Sequence, residues 1–124
     1  MRLLIDTHLL LWALASPGSL SSKARQRIES SEVFASAASI WEISIKSALG
    51  KLQANPGEVL SGIEPAGFDH LYITGEHAAE VATLPHLHKD PFDRMLVAQA
   101  LVEKMILLTD DAALGGYGDC VEVV

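Results

Sequence analysis

The stretch RLLIDTH (2–8), followed directly by LLLWALA (9–15), constrains this chain most tightly. After Arg2 the first run has no polar alternation, which is the mark of a strand covered on both faces. Asp6 then interrupts two segments that both favour burial, and a charge there costs several kcal/mol unless something compensates it. A helix cap, a cation from the protein or a metal ion could do so. The construction recurs at the far end of the chain, where ILL (106–108) runs into Thr109, Asp110 and Asp111.

Further strand-like runs are VFAS (33–36), LYI (71–73) and VEVV (121–124), and helical patterns lie between them. THLLLWAL (7–14) is short and apolar. SSKARQRIES (21–30) puts Leu20, Ala24 and Ile28 on one face. ASIWEISIKSALGKL (38–52) carries Trp41, Ile45, Ala48, Leu49 and Leu52 at helical spacing, with Gly50 weakening its end. GEVLSGI (57–63) is short, and GEHAAEVATL (75–84) groups Ala78, Val81 and Ala82. PFDRMLVAQALVEK (91–104) starts on proline and turns Met95, Ala98 and Val102 inward. Alternating strands and helices predict an α/β fold, a three-layer α/β/α sandwich with a mainly parallel sheet. Ligands of such sheets bind beyond the carboxyl ends of the strands. Asp6 and the Asp110–Asp111 pair are therefore expected at one edge.

At 124 residues the chain is read as a single domain, 1–124, and a 49% hydrophobic content suffices for its core. The formal net charge of −7 argues against a simple phosphate-binding surface, but divalent cations would offset clustered acids. Cys120 is the only cysteine, which excludes an internal disulfide and a cysteine zinc site; His86 and His88 alone make a poor zinc signal. The start imitates a signal peptide, but Asp6 and His8 break its apolar region, and residues 9–15 are too few to span a bilayer. A cytoplasmic protein without a membrane partner is expected.

Each acid has an ordinary reading beside a chemical one. Asp6 suits an N-cap, although Thr7 could cap instead and leave it free. Glu42 fits a capping box with Ser39 and an exposed pair with Lys46, yet Ile43, Ile45 and Leu49 surround it. Asp90 suits the N-cap before Pro91. Asp93, in the first turn, is explained less well because a buried-looking face follows. Arg94 stands beside it, where an acid partner, a phosphate contact and a solvated position are all open. Asp110 and Asp111 could form a turn with Thr109 as its cap. Jointly, carboxylates about 5 Å apart repel by roughly 3 kcal/mol at an effective dielectric near 20. Three or four gathered so closely call for a cation, and oxygen-only sites suit Mg²⁺ or Mn²⁺.

LLIDTHLLLW (3–12), SAASIWEISIKSALGKL (36–52), HKDPFDRMLVAQA (88–100) and LLTDDAALGGYG (107–118), in this order and spacing, resemble PIN-domain ribonucleases, specifically toxins of the VapBC toxin–antitoxin type. The resemblance implies metal-dependent cleavage of RNA. It places the family's four acids on Asp6, Glu42, Asp93 and Asp111, with Asp90 as an accessory acid and Asp110 as a bystander. Asp6 and Asp93 would hold the metal most directly. Glu42 and Asp111 would complete its shell, and Thr7 and Thr109 would support them with hydroxyls. A cognate antitoxin and a homodimer are also implied.

Two alternatives stand beside this reading. A phosphoacceptor receiver domain shares the length and the alternation, but requires paired acids after the first strand and a lysine after the fifth, and no lysine follows Lys104. A PIN-like module could instead bind RNA or a partner without cleaving. KARQR (23–27) is the one dense basic stretch. It reads first as a solvated helix face, with Lys23, Arg25 and Arg27 lining an RNA path across a dimer as the alternative.

Overall fold

The computed structural model describes residues 1–124. Five parallel strands form one sheet: β1 (Arg2–Ile5), β2 (Glu32–Ser36), β3 (Asp69–Leu71), β4 (Ile106–Thr109) and β5 (Val121–Val123), in the order β3-β2-β1-β4-β5. Between them lie α1 (Thr7–Ala15), α2 (Ser22–Glu29), α3 (Ala37–Ala48), α4 (Pro56–Gly62), α5 (Gly75–Glu80) and α6 (Pro91–Glu103). Leu3, Ile5 and Leu108 join a core with Leu9, Leu10, Ile43 and Ile63 on one face. Leu4 and Leu107 join Leu96, Val97 and Ala100 on the other. The unbroken apolar run of β1 is thus consumed on both sides, giving the expected three layers.

Register decides where the site falls. Ile5 pairs with Ala35 on one side and with Leu108 on the other. The next residues, Asp6, Ser36 and Thr109, therefore stand in one row at the carboxyl edge. Strand order reverses about β1, so this row borders the crevice typical of ligand sites in open α/β sheets. The backbone N–H of Asp6 donates to the Leu108 carbonyl at 3.0 Å, fixing the exit from β1 against β4.

Several elements differ from the sequence reading. α3 begins a turn earlier than the Ser39 cap allows: Ser36 ends β2 and its hydroxyl accepts from the Ala38 N–H at 2.9 Å. It stops at Ala48 because Gly50 takes φ +72°, a left-handed conformation that closes helices. Its apolar stripe is not core. Trp41 and Leu49 are 56% and 63% exposed and Ile45 is also exposed, whereas Ala38, Ser39, Glu42 and Ile43 are buried. α5 ends at Glu80, since Leu84 must be extended before Pro85 and a 3-10 turn, Val81–Thr83, intervenes. Ala78 and Ala82 face solvent, and the residue of α5 that enters the core is His77. Its Nδ1 accepts from the Thr74 N–H at 3.1 Å and its Nε2 meets Glu103 at 2.7 Å. β3 lies two residues earlier than expected, and Tyr72 and Ile73 are exposed beyond it. A 3-10 turn, Ala112–Tyr117, follows Asp111 and closes on Gly118 at φ +101°.

Candidate active site

Asp6 leaves β1 in extended conformation and caps α1, its Oδ1 accepting from the Leu9 N–H at 2.9 Å. Its Oδ2 accepts from the hydroxyl of Thr109, the last residue of β4. The side chain is buried, and burial raises its pKa above the usual carboxylate value against the pull of those two hydrogen bonds. Asp6 is therefore both cap and member of the acid cluster; Thr7 does not replace it. Thr7 instead crosses to α3, where its hydroxyl lies 2.9 Å from Ser39 Oγ and donates to Glu42 Oε1 at 2.7 Å.

Glu42 is not in a capping box, because the cap lies at Ser36. Nor is its pairing with Lys46 an exposed one: Lys46 Nζ contacts Glu42 Oε2 while the Glu42 side chain is only 7% exposed. That contact, reinforced by Asp90 and Asp93, raises the lysine pKa. A glutamate on this helix is buried because α1 and α3 bring it a hydroxyl and an ammonium together.

Asp90 caps α6, accepting from the N–H groups of Phe92 at 2.8 Å and Asp93 at 3.2 Å. Asp93 follows in the first turn. Burial, then the negative charges of Asp90 and Glu42, push its pKa up to about 6, with a smaller contribution from Asp6 and opposition from His88. This ties the carboxylates of β1, α3 and α6 into one electrostatic neighbourhood. Asp111 joins it from beyond β4. Its N–H donates to Thr109 Oγ1 at 3.1 Å, and its Oδ1 caps the following turn through Ala113 at 3.0 Å. Asp110 is exposed.

His88, weighed in the sequence only as a poor zinc signal with His86, stands beside the acids. Its Nε2 lies 3.4 Å from Asp111 Oδ2 and 3.7 Å from Asp93 Oδ2, and the three residues could supply ligand atoms within 4.8 Å of one another. The local signal was its place two residues before the capping Asp90, whose N–H donates to His88 Nδ1 at 3.1 Å. Arg94 is not paired with any acid. Its guanidinium donates to the carbonyls of Val81 and Pro85 at 3.1 and 2.9 Å and to the Tyr117 hydroxyl at 3.2 Å. It braces the segment leading to His88. The basic stretch is largely spent too: Arg25 donates to the Pro17 carbonyl at 3.2 Å and Arg27 clasps both oxygens of Glu122.

The residues matching the PIN domain family are 3–118, nearly the whole chain and every element of this site. The chain belongs to the PIN domain family. Among solved structures, this PIN domain is similar to VapBC2 from Rickettsia felis bound to a DNA fragment from its promoter. The TM-score is 0.70 at 12% identity, covering 100% of this chain and 98% of that one. FitAcB from Neisseria gonorrhoeae gives 0.67 at 21% identity, covering 98% and 95%. A toxin–antitoxin complex from Klebsiella pneumoniae gives 0.65 at 18%, covering 97% and 95%. At these identities the likeness is one of fold. Comparison with curated proteins gives no significant match. The family assignment replaces the receiver-domain alternative.

Proposed function

We propose that this PIN domain is a metal-dependent endoribonuclease, the toxin of a type II toxin–antitoxin pair. The observation that carries the proposal is the gathering of acids at the switch-point edge of the sheet: Asp93 and Asp111 can bring ligand atoms within 4.8 Å of each other and of His88, and the charges of Asp90, Glu42 and Asp6 all act on Asp93. There, burial and neighbouring carboxylates resist ionisation of Asp93. The donor set is rich in hard oxygens and short of cations, which fits Mg²⁺ or Mn²⁺. Asp6 and Asp93 are assigned the most direct contacts, and Glu42 and Asp111 the remainder of the shell. When bound, the ion supplies Lewis-acid polarisation of the phosphate and neutralises developing charge.

The chain's own contribution is orientation. Thr109 and the α1 N-terminus hold the two oxygens of Asp6, so its rotamer is set before any ligand arrives. Thr7 fixes Oε1 of Glu42 in the same way. Glu42 and Asp111 help orient or deprotonate the attacking water. Asp90 keeps the first turn of α6 in place beneath Asp93.

Structural similarity to the Klebsiella pneumoniae complex and to VapBC2 supports an antitoxin partner. An apolar groove of about 750 Å³ between α1 and α4, lined by His8, Leu11, Trp12, Leu14 and Val59, offers such a partner a seat. A homodimer is supported by the exposed stripe Trp41, Ile45 and Leu49, with Leu60 and Tyr72 nearby. No helix is long and apolar enough to cross a membrane, and we assign the protein to the cytoplasm.

The test is incubation of RNA with Mg²⁺ or Mn²⁺, beside EDTA and Asp6→Asn controls. Cleavage in the wild type alone is expected. Cleavage that persists in either control overturns the mechanism. Metal-dependent RNA binding without cleavage would identify a non-cleaving PIN-like module.

A further inference from the structure

Both oxygens of Glu42 are engaged, but by partners of different kinds. Oε1 takes a neutral hydroxyl from Thr7 at 2.7 Å, and Oε2 takes the ammonium of Lys46. A hydroxyl donor can stay on a carboxylate that also serves a cation. A second cation cannot share the oxygen already held by an ammonium without strong repulsion. Lys46 is also the cluster's own counter-charge. The neighbouring Arg94 is spent on two carbonyls and a phenol, and Lys89 is exposed. Lys46 lies within electrostatic reach of Asp90 and Asp93 as well as Glu42. Its side chain, 36% exposed, can swing into solvent, whereas that of Glu42, 7% exposed, stays.

We propose that Lys46 is a positioning residue that occupies Oε2 of Glu42, the oxygen Thr7 leaves open, and competes with the divalent cation for it. The inference rests on the metal-site reading above. Lys46 holds the carboxylates together until the ion arrives, then yields Oε2. The lysine therefore lowers metal affinity while stabilising the metal-free fold. This sign separates competition from a merely structural role, because damage to α3 would weaken metal binding.

The experiment titrates the full chain, free of RNA, with Mn²⁺ alone, reading the free-ion paramagnetic resonance signal, and follows thermal unfolding in EDTA and at saturating Mn²⁺. Lys46→Gln is expected to bind Mn²⁺ on the order of tenfold more tightly. It should melt lower than wild type in EDTA, with the deficit abolished by Mn²⁺. Lys46→Arg keeps a charged partner on Glu42 and should bind close to wild type. Lys46→Met, which retains the aliphatic stem, provides the same reading if the amide variant loses its cooperative melt. Unchanged or weaker Mn²⁺ affinity in a cooperatively melting Lys46→Gln or Lys46→Met overturns the competition, and leaves the nuclease reading intact if the wild type still cleaves with metal. Tighter binding without any RNA cleavage sustains the competition and sinks the nuclease reading. A wild type that binds no Mn²⁺ overturns both.

Discussion

Asp93→Asn should make the metal-free protein more stable while weakening its response to metal. Holding the Asp93 carboxyl at about 6 instead of 3.8 penalises the ionised form by about 3 kcal/mol in a rigid, dry site. Water reaches the side chain, which is 21% exposed, and screening reduces the penalty to about 1–2 kcal/mol. Asparagine forfeits the favourable placement of a negative charge in the first turn of α6, about 0.5 kcal/mol. The net gain of about 1 kcal/mol corresponds to a melting point roughly 3–5 °C higher in EDTA at pH 7.5. The pH dependence fixes the cause. Because the folded pKa is raised, the folded chain binds the proton more tightly than the unfolded one, and wild-type stability falls as pH rises from about 4 through about 6. The advantage of asparagine is therefore full above pH 6 and disappears once both states of the wild type are protonated. Thermal unfolding of both proteins across this range, with EDTA and then with a Mg²⁺ titration, is the assay. Mg²⁺ should raise the wild-type melting point more than the variant's. A variant less stable than wild type in EDTA at neutral pH, or a difference that does not shrink on acidification, refutes the argument.

Thr109→Val removes the hydroxyl that donates to Asp6 and accepts from the Asp111 N–H. It should cost about 1–3 kcal/mol in denaturant unfolding and weaken Mn²⁺ binding; wild-type values for both would show that the hydroxyl does not organise the site. Trp41→Glu should shift the protein towards monomer in sedimentation velocity, since it places a charge in the exposed stripe of α3; an undisturbed dimer would move the interface elsewhere.

The sheet was legible because β1 past Arg2 and β4 before Thr109 are apolar at every position, and register then carries Asp6 and Thr109 to the same edge without further information. The face of α3 was not legible. Hydrophobic spacing reports that Trp41, Ile45 and Leu49 favour burial, but does not say whether the cover is the chain's own core. Conversely, Glu42 and His77 are buried through partners from other elements: Thr7 for the first, Glu103 and Gln99 for the second. Polarity along the chain does not disclose those meetings. His88 and Arg94 divide in the same way. Arg94 was open to an acid, a phosphate or solvent and His88 was only a weak zinc signal, and only the path of the segment before α6 turns the histidine towards the acids and the arginine onto carbonyls.

The hydroxyl of Thr109 reaches Asp6 across 103 residues of sequence. During synthesis Asp6 is made long before β4 and Asp111. Until then β1 lacks its second neighbour and the acids have no common edge. The acid edge is therefore completed only once β4 has joined β1, and a fragment lacking β4 and Asp111 carries no such edge.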